Sequence, residues 1–279
     1  MPVLTIDGTP VRYDRIGDGP TVVLLHGGGL DSAQVSWAPL TPHLAAHADV
    51  ISPDLPGYGG SPLGKTSPTV AGYAHWLRGF LDALGVGGCV VGGLSLGGAI
   101  ALQVAIDDPG RVAGLVLCGP YGVDPRIPGG KLGWFTVHAP GVDALTWWTI
   151  RHSRRAVRAT LATLLRHGVS DDLVSDIQAL AKAPGAGDAW GAFQRDEALF
   201  SGPRTVFGDA LARVECPAVL LAGEYDIVPP AAVREAAARI PHGEFEMVAG
   251  AGHWLPRDDP DAVADHLLDM ITRIDGGPS

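Results

Sequence analysis

The chain has 279 residues, of which 46% are hydrophobic and 18% are charged. This composition supplies a large core and excludes extensive disorder. The formal net charge of −10 argues against a partner that is nucleic acid or an anionic membrane, because both require clustered Lys and Arg. Basic residues gather only at 151–158, which we interpret first as the solvated face of a helix and second as substrate or lid contacts.

The cysteines indicate the redox environment. Cys89, Cys118 and Cys216 lie in or beside apolar, strand-like runs. An odd number without paired spacing predicts reduced, buried thiols and a cytoplasmic protein, and none of the three has metal-ligand spacing. The first residues show no basic signal-peptide region, and no apolar run approaches the roughly 20 residues of a membrane span.

Short apolar runs alternate with helical patterns in the first half of the chain. Residues 3–6 and 11–16 alternate around a turn and predict an antiparallel hairpin at a sheet edge. Continuous apolar runs predict strands that are buried on both faces, and a 3.6-residue period predicts the helices between them. The strands are predicted at 21–25, 50–53, 89–91 and 112–118, and the helices at 37–48, 70–84 and after residue 95. This order predicts a parallel sheet covered by helices.

The alternation stops between about residues 123 and 207, where no strand is evident. Helical stretches are predicted there at 144–150, 154–166 and 171–182. Strand and helix patterns resume at 218–223, 231–239, 245–248 and 260–274, and residues 275–279 are expected to fray.

We therefore predict an α/β core formed by residues 1–122 and 207–279, with residues 123–206 inserted as a helical lid. The core should be a mostly parallel, doubly wound sheet. The aromatic residues of the insertion are expected to pack the lid, and the alternative is that some of them line a pocket. They are Trp134, Phe135, Trp147, Trp148, Trp190 and Phe193.

A glycine-flanked serine stands where a predicted strand passes into a helix. The segment Gly93-Leu94-Ser95-Leu96-Gly97 has the form G-x-S-x-G. A tight strand-to-helix turn lifts such a serine clear of the sheet and needs small residues two positions before and after it. The motif predicts Ser95 as a nucleophile. Because the chain has 39 glycines, a chance match in which Ser95 only caps the helix is the alternative.

A serine nucleophile needs a base that takes its proton and an acid that orients the base. Such groups collect at the carboxyl ends of strands in open α/β sheets. Asp226 follows the predicted strand at 218–223, and His253 follows the one at 245–248. We predict Asp226 as the acid and His253 as the base, with a turn or capping role for Asp226 and a structural role for His253 as the alternatives. The rival acids are Glu224 and Asp124.

Acyl transfer also requires N–H donors that face the oxyanion. One donor would be the backbone N–H of Leu96, the residue after the nucleophile. The second would come from His26-Gly27-Gly28-Gly29, where missing side chains allow close approach. We favour Gly28, with Gly29 next, and expect His26 to brace the loop by hydrogen bonds. The glycine run is not followed by a phosphate-binding G-x-x-x-x-G-K or G-x-G-x-x-G.

With these motifs assembled, the chain resembles the α/β-hydrolase fold superfamily over nearly its whole length outside the insertion. The motifs are His26-Gly27-Gly28-Gly29, Asp54-Leu55-Pro56-Gly57-Tyr58-Gly59-Gly60-Ser61, Gly93-Leu94-Ser95-Leu96-Gly97-Gly98, Gly223-Glu224-Tyr225-Asp226 and Gly252-His253-Trp254. The resemblance implies a Ser…Asp…His triad, no cofactor or metal, and a small-molecule substrate. A homodimer through the lid or an edge strand would be ordinary for this fold.

Three families within the superfamily matter for the chemistry. Haloalkane dehalogenases and epoxide hydrolases resemble the chain elsewhere but use a carboxylate nucleophile, whereas this chain has serine. The triple glycine, the Ser36-Trp37 pair and Trp254 are similar to meta-cleavage-product hydrolases, which cleave a carbon–carbon bond in vinylogous 1,5-diketones.

The chain departs from those C–C hydrolases at three places. Leu30 and Leu94 stand where they usually carry proline and asparagine. Ile177 falls where their carboxylate-binding lid arginine is expected. Arg195 is an alternative candidate for that arginine, but the sequence does not show whether it lies near the site.

The leading hypothesis is a cofactor-independent serine hydrolase that cleaves a small to medium, mainly apolar ester or lactone through an acyl-enzyme. Gly29, Leu94 and Trp254 are the candidate pocket residues. Carbon–carbon hydrolysis and acyl transfer to an acceptor other than water are the alternatives that keep the site. A non-catalytic ligand-binding protein that keeps the fold is the third hypothesis.

Overall fold

The structure, a computed structural model, describes residues 3–126 and 130–275. Its strands are β1 (Val3–Ile6), β2 (Thr9–Ile16), β3 (Thr21–Leu25), β4 (Asp49–Pro53), β5 (Cys89–Leu94), β6 (Val112–Cys118), β7 (Ala198–Leu199), β8 (Gly202–Pro203), β9 (Ala218–Gly223) and β10 (Gly243–Val248). Eight of them form one sheet in the order β1-β2-β4-β3-β5-β6-β9-β10. The pairs β1–β2 and β2–β4 are antiparallel, and the other neighbours are parallel. This arrangement confirms the predicted α/β-hydrolase fold.

The helices lie between these strands. They are α1 (Ala33–Trp37), α2 (Thr41–Leu44), α3 (Val70–Leu84), α4 (Leu96–Asp107), α5 (Gly130–His138), α6 (Val142–His152), α7 (Arg154–Leu164), α8 (Asp171–Lys182), α9 (Asp188–Glu197), α10 (Pro230–Arg239), α11 (Leu255–Asp258) and α12 (Pro260–Asp275). Within residues 3–126 and 130–275, none is both long and apolar enough to span a membrane.

Strand β3 shows why the sheet carries a core on each face. Val22 and Leu24 belong to one hydrophobic core, and Val23 and Leu25 belong to the other. Successive side chains of a strand point to opposite faces, so a continuously apolar strand is buried on both. Helices α3, α4 and α10 contribute to one core, and α2 and α12 contribute to the other.

Helix α3 begins and ends where its capping residues stand. The Thr69 hydroxyl accepts a hydrogen bond from the Gly72 N–H at the N-terminus, and Gly85 has left-handed backbone at the C-terminus. Such caps satisfy helix-end groups that have no partner within the helix. The sequence prediction for residues 70–84 is confirmed.

The prediction of one helix at 37–48 is wrong. The structure has two short helices, α1 and α2, separated by residues 38–40. The side chain of Ser32 caps α1, and Pro42 lies in the first turn of α2. Proline is tolerated at a helix start but breaks a helix interior, because it lacks an N–H and its ring clashes with the preceding turn. Residues 45–48 then lead out of the helix into β4.

Five helices, α5 to α9, lie between β6 and β9; residues 130–197, which contain them, are called the helical segment below. The predictions for α6, α7 and α8 are confirmed within two residues, whereas α5 and α9 were not predicted. The paired strands β7 and β8 also correct the expectation of no strand. Each has two residues, which is too short for a visible alternation. Fraying was predicted for residues 275–279; Asp275 is instead the last residue of α12, and residues 276–279 lie outside the described residues.

The helical segment continues the cores of the sheet. Val157 and Ile177 are fully buried in the core that also contains Leu24, and Phe193 belongs to the opposite core. The boundary of a lid domain stays a prediction, but the apolar contacts between the helical segment and the rest of the chain are extensive.

Replacing Phe80 with alanine tests the packing of the core. Phe80 is fully buried, stacks on Trp76 at 5.4 Å between ring centroids and meets Tyr13 edge-on at 5.6 Å. Phe80→Ala should lower the free energy of unfolding by about 3–5 kcal/mol, as measured by urea denaturation, because it leaves a cavity. The matched control is Phe135→Ala at a residue that is 58% exposed, where the change should stay within about 0.5 kcal/mol. Equal losses for both variants would contradict this account.

Candidate active site

Ser95 occupies a strained turn between β5 and α4. Its φ is +50°, and among the described residues only Asp7 shares a positive φ without being glycine. The Ser95 N–H donates to the carbonyl of Cys118 at 2.9 Å, and its own carbonyl accepts from Tyr121 at 3.0 Å. Such strain persists only where the surroundings hold it, and it concentrates at functional sites.

The glycines of the motif have a steric reason. A Cβ atom at Gly97 would lie 2.2 Å from the carbonyl oxygen of Leu25, and one at Gly93 would lie 2.7 Å from the N of Gly98. Neither distance is tolerable, because both neighbours are backbone atoms. The turn therefore brings Ser95 beside the end of β3.

His253 and Asp226 form the closest side-chain pair of the site. His253 Nδ1 lies 2.6 Å from Asp226 Oδ1, and the two side chains are 8% and 0% exposed. Asp226 Oδ1 also accepts the N–H of Val228 at 2.8 Å. A carboxylate only accepts hydrogen bonds, so the pair requires the proton on Nδ1 and leaves Nε2 as the free acceptor.

The turn at Gly119 joins this pair to the serine. A Cβ atom at Gly119 would lie 2.6 Å from Asp226 Oδ2 and 2.9 Å from His253 Nδ1. The preceding residue, Cys118, accepts the N–H of Ser95. The structure thus assembles the three predicted residues around one backbone turn. Within the described residues the Ser95 hydroxyl makes no hydrogen bond to His253; such bonds often tighten only when substrate is bound.

The rival acids lie elsewhere. Glu224 is exposed and accepts the N–H of Gly250 at 3.0 Å. Asp124 pairs with Arg126 at 2.9 Å. Of the three carboxylates that the sequence left open, the structure brings Asp226 to the imidazole.

His26 braces the glycine loop, as the sequence predicted. Its Nε2 accepts the N–H of Leu55 at 2.9 Å, and its Nδ1 lies 2.7 Å from the carbonyl oxygen of Gly27. The first contact makes Nε2 the acceptor, so Nδ1 carries the proton and donates it to that carbonyl. His26 is fully buried.

A buried chain of hydrogen bonds that sequence reasoning missed also holds the glycine loop. Asp31 accepts the Gly27 N–H at 2.7 Å and the Ser36 hydroxyl at 2.7 Å. The indole N–H of Trp254 donates to the Ser36 oxygen, also at 2.7 Å. Burial raises the pKa of Asp31 above its ordinary value, although nearby His26 and the hydrogen bonds from Ser36 and Gly27 oppose this shift. This series of hydrogen bonds links the glycine loop to Trp254, the residue after His253.

Aromatic residues of the helical segment cover the glycine loop. A Cβ atom at Gly28 would lie 2.3 Å from the ring of Trp190. Trp190 stacks on Phe193 at 5.5 Å, and Phe193 meets Tyr121 edge-on at 5.5 Å. Sequence reasoning left Trp190 and Phe193 between lid packing and pocket lining, and the structure shows both in contact with the core. Sequence reasoning missed Tyr121, because no local sequence pattern distinguishes this residue.

Tyr121 also contacts a buried carboxylate. Its hydroxyl lies 3.3 Å from Glu197, which is 3% exposed and also accepts the N–H and hydroxyl of Thr205 at 2.9 Å each. Burial, and then the charge of Glu197, raise the pKa of Tyr121 above its ordinary value.

Two cavities adjoin the glycine loop. Gly29, Leu30 and Trp147 line both, and their volumes are about 490 and 240 Å³. Trp190 and Arg195 line the smaller one. Within the described part of the chain, Ser95 lines neither of these two cavities.

The three predicted pocket residues lie in different environments in the structure. Gly29 lines both cavities, whereas Leu94 and Trp254 are each 3% exposed and buried in a core. Their role as pocket residues stays a prediction. Ile177 is fully buried in the same core, and Arg195 pairs with Asp143, another lining residue of the smaller cavity, at 3.5 Å.

Known proteins match the chain over most of its length. A sequence model of the alpha/beta hydrolase fold matches residues 20–260. A 2-hydroxy-6-oxo-2,4-heptadienoate hydrolase from Pseudomonas putida is 30% identical over 261 residues, which cover 89% of this chain and 87% of that protein. The solved structure of a thermophilic esterase from Thermogutta terrifontis has a TM-score of 0.78 at 25% identity and covers 98% of this chain and 99% of its own.

A further relative is longer than this chain. The dihydrolipoyllysine-residue acetyltransferase component of the acetoin cleaving system of Cupriavidus necator is 31% identical over 253 residues. The match covers 89% of this chain but only 63% of that protein. The chain therefore spans less than two thirds of that relative's length.

Replacing Ser36 with alanine tests the buried chain that holds the glycine loop. Ser36→Ala removes the donor to Asp31 and leaves the indole N–H of Trp254 without its acceptor. The free energy of unfolding should fall by about 1–3 kcal/mol, because buried polar groups lose their partners. The matched control is Ser52→Ala, since the buried Ser52 hydroxyl has no partner within the described residues. An equal effect of both variants in urea denaturation would contradict the role of these buried hydrogen bonds in holding the glycine loop.

Proposed function

The chain belongs to the α/β-hydrolase fold family, and from this premise we propose that it is a serine hydrolase that works through an acyl-enzyme on Ser95. The substrate is a small to medium, mainly apolar ester or lactone. The observation that carries the proposal is the 2.6 Å contact of His253 with Asp226, beside the strained turn that presents Ser95.

In the proposed reaction, Asp226 holds the proton of His253 on Nδ1 and leaves Nε2 free for the hydroxyl of Ser95. His253 takes the hydroxyl proton of Ser95 on Nε2 as Ser95 Oγ attacks the substrate carbonyl. Asp226 stabilises the imidazolium that results. His253 then gives the proton to the leaving alcohol, and it activates a water molecule that releases the acid from Ser95.

The proposed oxyanion hole consists of the N–H groups of Leu96 and Gly28. Leu96 is the first residue of α4, and the first N–H groups of a helix have no partner within it. Gly28 follows Gly27, whose N–H and carbonyl are held by Asp31 and His26. Fixed donors stabilise developing charge without reorganising during the reaction.

The helical segment acts as a lid in this proposal. Its residues form most of the smaller cavity beside the glycine loop, and most of the lining side chains are apolar. They include Val137, Val142, Trp147, Ile150 and Trp190. This lining supports an apolar substrate whose non-reacting part lies against the lid.

We also place the protein in the cytoplasm. Cys89, Cys118 and Cys216 are free thiols. Burial raises the pKa of Cys89 to about 12 and that of Cys216 to about 11. Thiols that stay protonated at neutral pH are poor nucleophiles, which supports serine as the attacking group, and free thiols suit a reducing compartment.

The labelling of Ser95 tests the proposed function. A fluorophosphonate should add one adduct to the native chain and none to Ser95→Ala, as read by intact mass. Ser52→Ala, the matched serine control, should label like the native chain. On a panel of esters and lactones, Ser95→Ala and His253→Ala should lose several orders of magnitude in kcat, and Asp226→Asn on the order of 10⁴-fold. Absence of an adduct on the native chain would instead favour a ligand-binding protein.

A second candidate is the hydrolysis of a carbon–carbon bond in a dienoate. Arg195 lines the smaller cavity with Gly29, where a guanidinium can bind a substrate carboxylate. The Pseudomonas putida relative is named a hydrolase of such a compound.

Replacing Arg195 separates the two candidates. On a dienoate that carries a carboxylate, Arg195→Ala should raise KM by about 10- to 100-fold, because a charge-assisted hydrogen bond is lost; KM for a neutral ester should stay unchanged. The measurement is the decay of the dienoate absorbance. The control is Arg204→Ala: its side chain is 51% exposed and pairs with Asp196, as Arg195 pairs with Asp143, but within the described residues it does not line the smaller cavity. No dienoate turnover by the native chain would remove this candidate.

A further inference from the structure

A buried carboxylate outside the triad holds the loop that carries His253. Asp258 lies at the end of α11, and its side chain is 1% exposed. It accepts the N–H of Gly252 at 2.7 Å, that of Arg166 at 2.9 Å and that of His167 at 2.9 Å. Three backbone donors thus converge on one charged group.

The donors come from two different parts of the chain. Gly252 immediately precedes His253, whereas Arg166 and His167 follow the end of α7 in the helical segment. Helix α7 was predicted to run to residue 166, but it ends at Leu164, and the N–H groups that would have continued it turn to Asp258. The carboxylate therefore bridges the helical segment and the loop of the base.

A second contact joins the same two parts on the other side of His253. The N–H of Trp254 donates to the carbonyl of Leu164 at 3.1 Å. A Cβ atom at Gly252 would lie 2.4 Å from that same carbonyl oxygen. Both neighbours of His253 are thus held against the end of α7, one through Asp258 and one directly.

Backbone N–H groups, rather than charged side chains, stabilise the carboxylate of Asp258. The ionic contact of Asp258 within the described residues is His167, whose Nδ1 lies 4.0 Å from the carboxylate and is 2.7 Å from the Asp258 carbonyl instead. A buried carboxylate requires hydrogen bonds to be tolerated, and those to a charged acceptor are short and strong. The bridge is therefore a strong restraint on both segments.

We propose that Asp258 is a positioning residue that couples the end of α7 to His253, so that the seating of the helical segment decides where the imidazole stands. The proposal rests on the proposed function of His253 as the base. Asp226 fixes the ring only through Nδ1, and the reach of Nε2 toward Ser95 depends on the His253 backbone. A displacement of about 1 Å in such a group costs on the order of 10²-fold in rate.

The first experiment replaces Asp258 with asparagine. The amide keeps the shape, but its single oxygen cannot serve both oxygen positions, and its NH₂ group must face an N–H donor. With kcat counted per site titrated by a fluorophosphonate, Asp258→Asn should lower kcat by about 10- to 100-fold. KM should stay within about threefold, because substrate binding is kept. The acid limb of the pH profile of kcat should shift, because the base is displaced. Asp258→Glu, which keeps the carboxylate, should restore part of kcat.

The matched control is Asp49→Asn. Asp49 is also a buried carboxylate, but it begins β4 and accepts its hydrogen bonds from Arg15. It should lower the thermal midpoint as Asp258→Asn does, yet leave kcat per titrated site and the pH profile unchanged. A purely structural role of Asp258 predicts the same behaviour for both variants.

A second variant disturbs the coupling without touching the carboxylate. Gly252→Ala puts a methyl group against the carbonyl of Leu164 and pushes the loop away from α7. It should reproduce the loss of kcat, and the double variant with Asp258→Asn should lose less than the product of the two, because both changes break one coupling. If Asp258→Asn does not fold, Gly252→Ala and Asp258→Glu decide the question.

The outcomes separate the two proposals. Native kcat per titrated site and an unshifted pH profile in the Asp258 and Gly252 variants would overturn the coupling. Absence of a Ser95-dependent adduct on the native chain would overturn the proposed function itself, and that result is read before any variant of Asp258 is made.

Discussion

The site depends on the strained backbone at Ser95. A residue with a side chain at φ +50° is held there at a cost of about 1–3 kcal/mol, so the surroundings must offset it. They do so because parallel strands end side by side: Leu25, at the end of β3, packs against Gly97, and Cys118, at the end of β6, accepts the Ser95 N–H. A sheet with this strand order is therefore the scaffold that lets the turn persist.

Buried carboxylates organise the loops around that turn. Asp31 holds the glycine loop, Asp226 orients His253, and Asp258 bridges the His253 loop and α7. Glu197 holds Tyr121, whose N–H in turn bonds to the Ser95 carbonyl. Each carboxylate accepts hydrogen bonds from neutral groups, which lets a charge stay buried beside a loop. The loops of this site thus share a common kind of anchor.

The helical segment contacts this framework at two places with different consequences. Trp190 lies on Gly28, in the glycine loop, while the end of α7 lies against the residues that flank His253. The first contact shapes the space where a substrate would sit. The second contact holds the backbone on both sides of His253, the proposed base. Under the proposed function, a change in the helical segment would therefore alter substrate selection and chemistry separately, which suits a fold whose members act on different substrates.

The sequence by itself determined the features that follow from local patterns. Continuous apolar strands, the helix at 70–84, the G-x-S-x-G turn and the order of Ser95, Asp226 and His253 along strand ends could all be read from the chain, because periodicity and glycine sterics act over a few residues. The alternation of strands and helices was sufficient for the fold class.

Only the tertiary structure decided which groups meet across the chain. Trp254 reaches Ser36 over a separation of 218 residues, and Asp258 reaches Arg166 over 92. The exclusion of the rival acids Glu224 and Asp124, the burial of Leu94 and the contact of Trp190 with Gly28 also depend on the tertiary structure. No local pattern marks these residues, since such contacts depend on the packing of whole elements, and a polar residue that will be buried looks in sequence like one that stays in solvent.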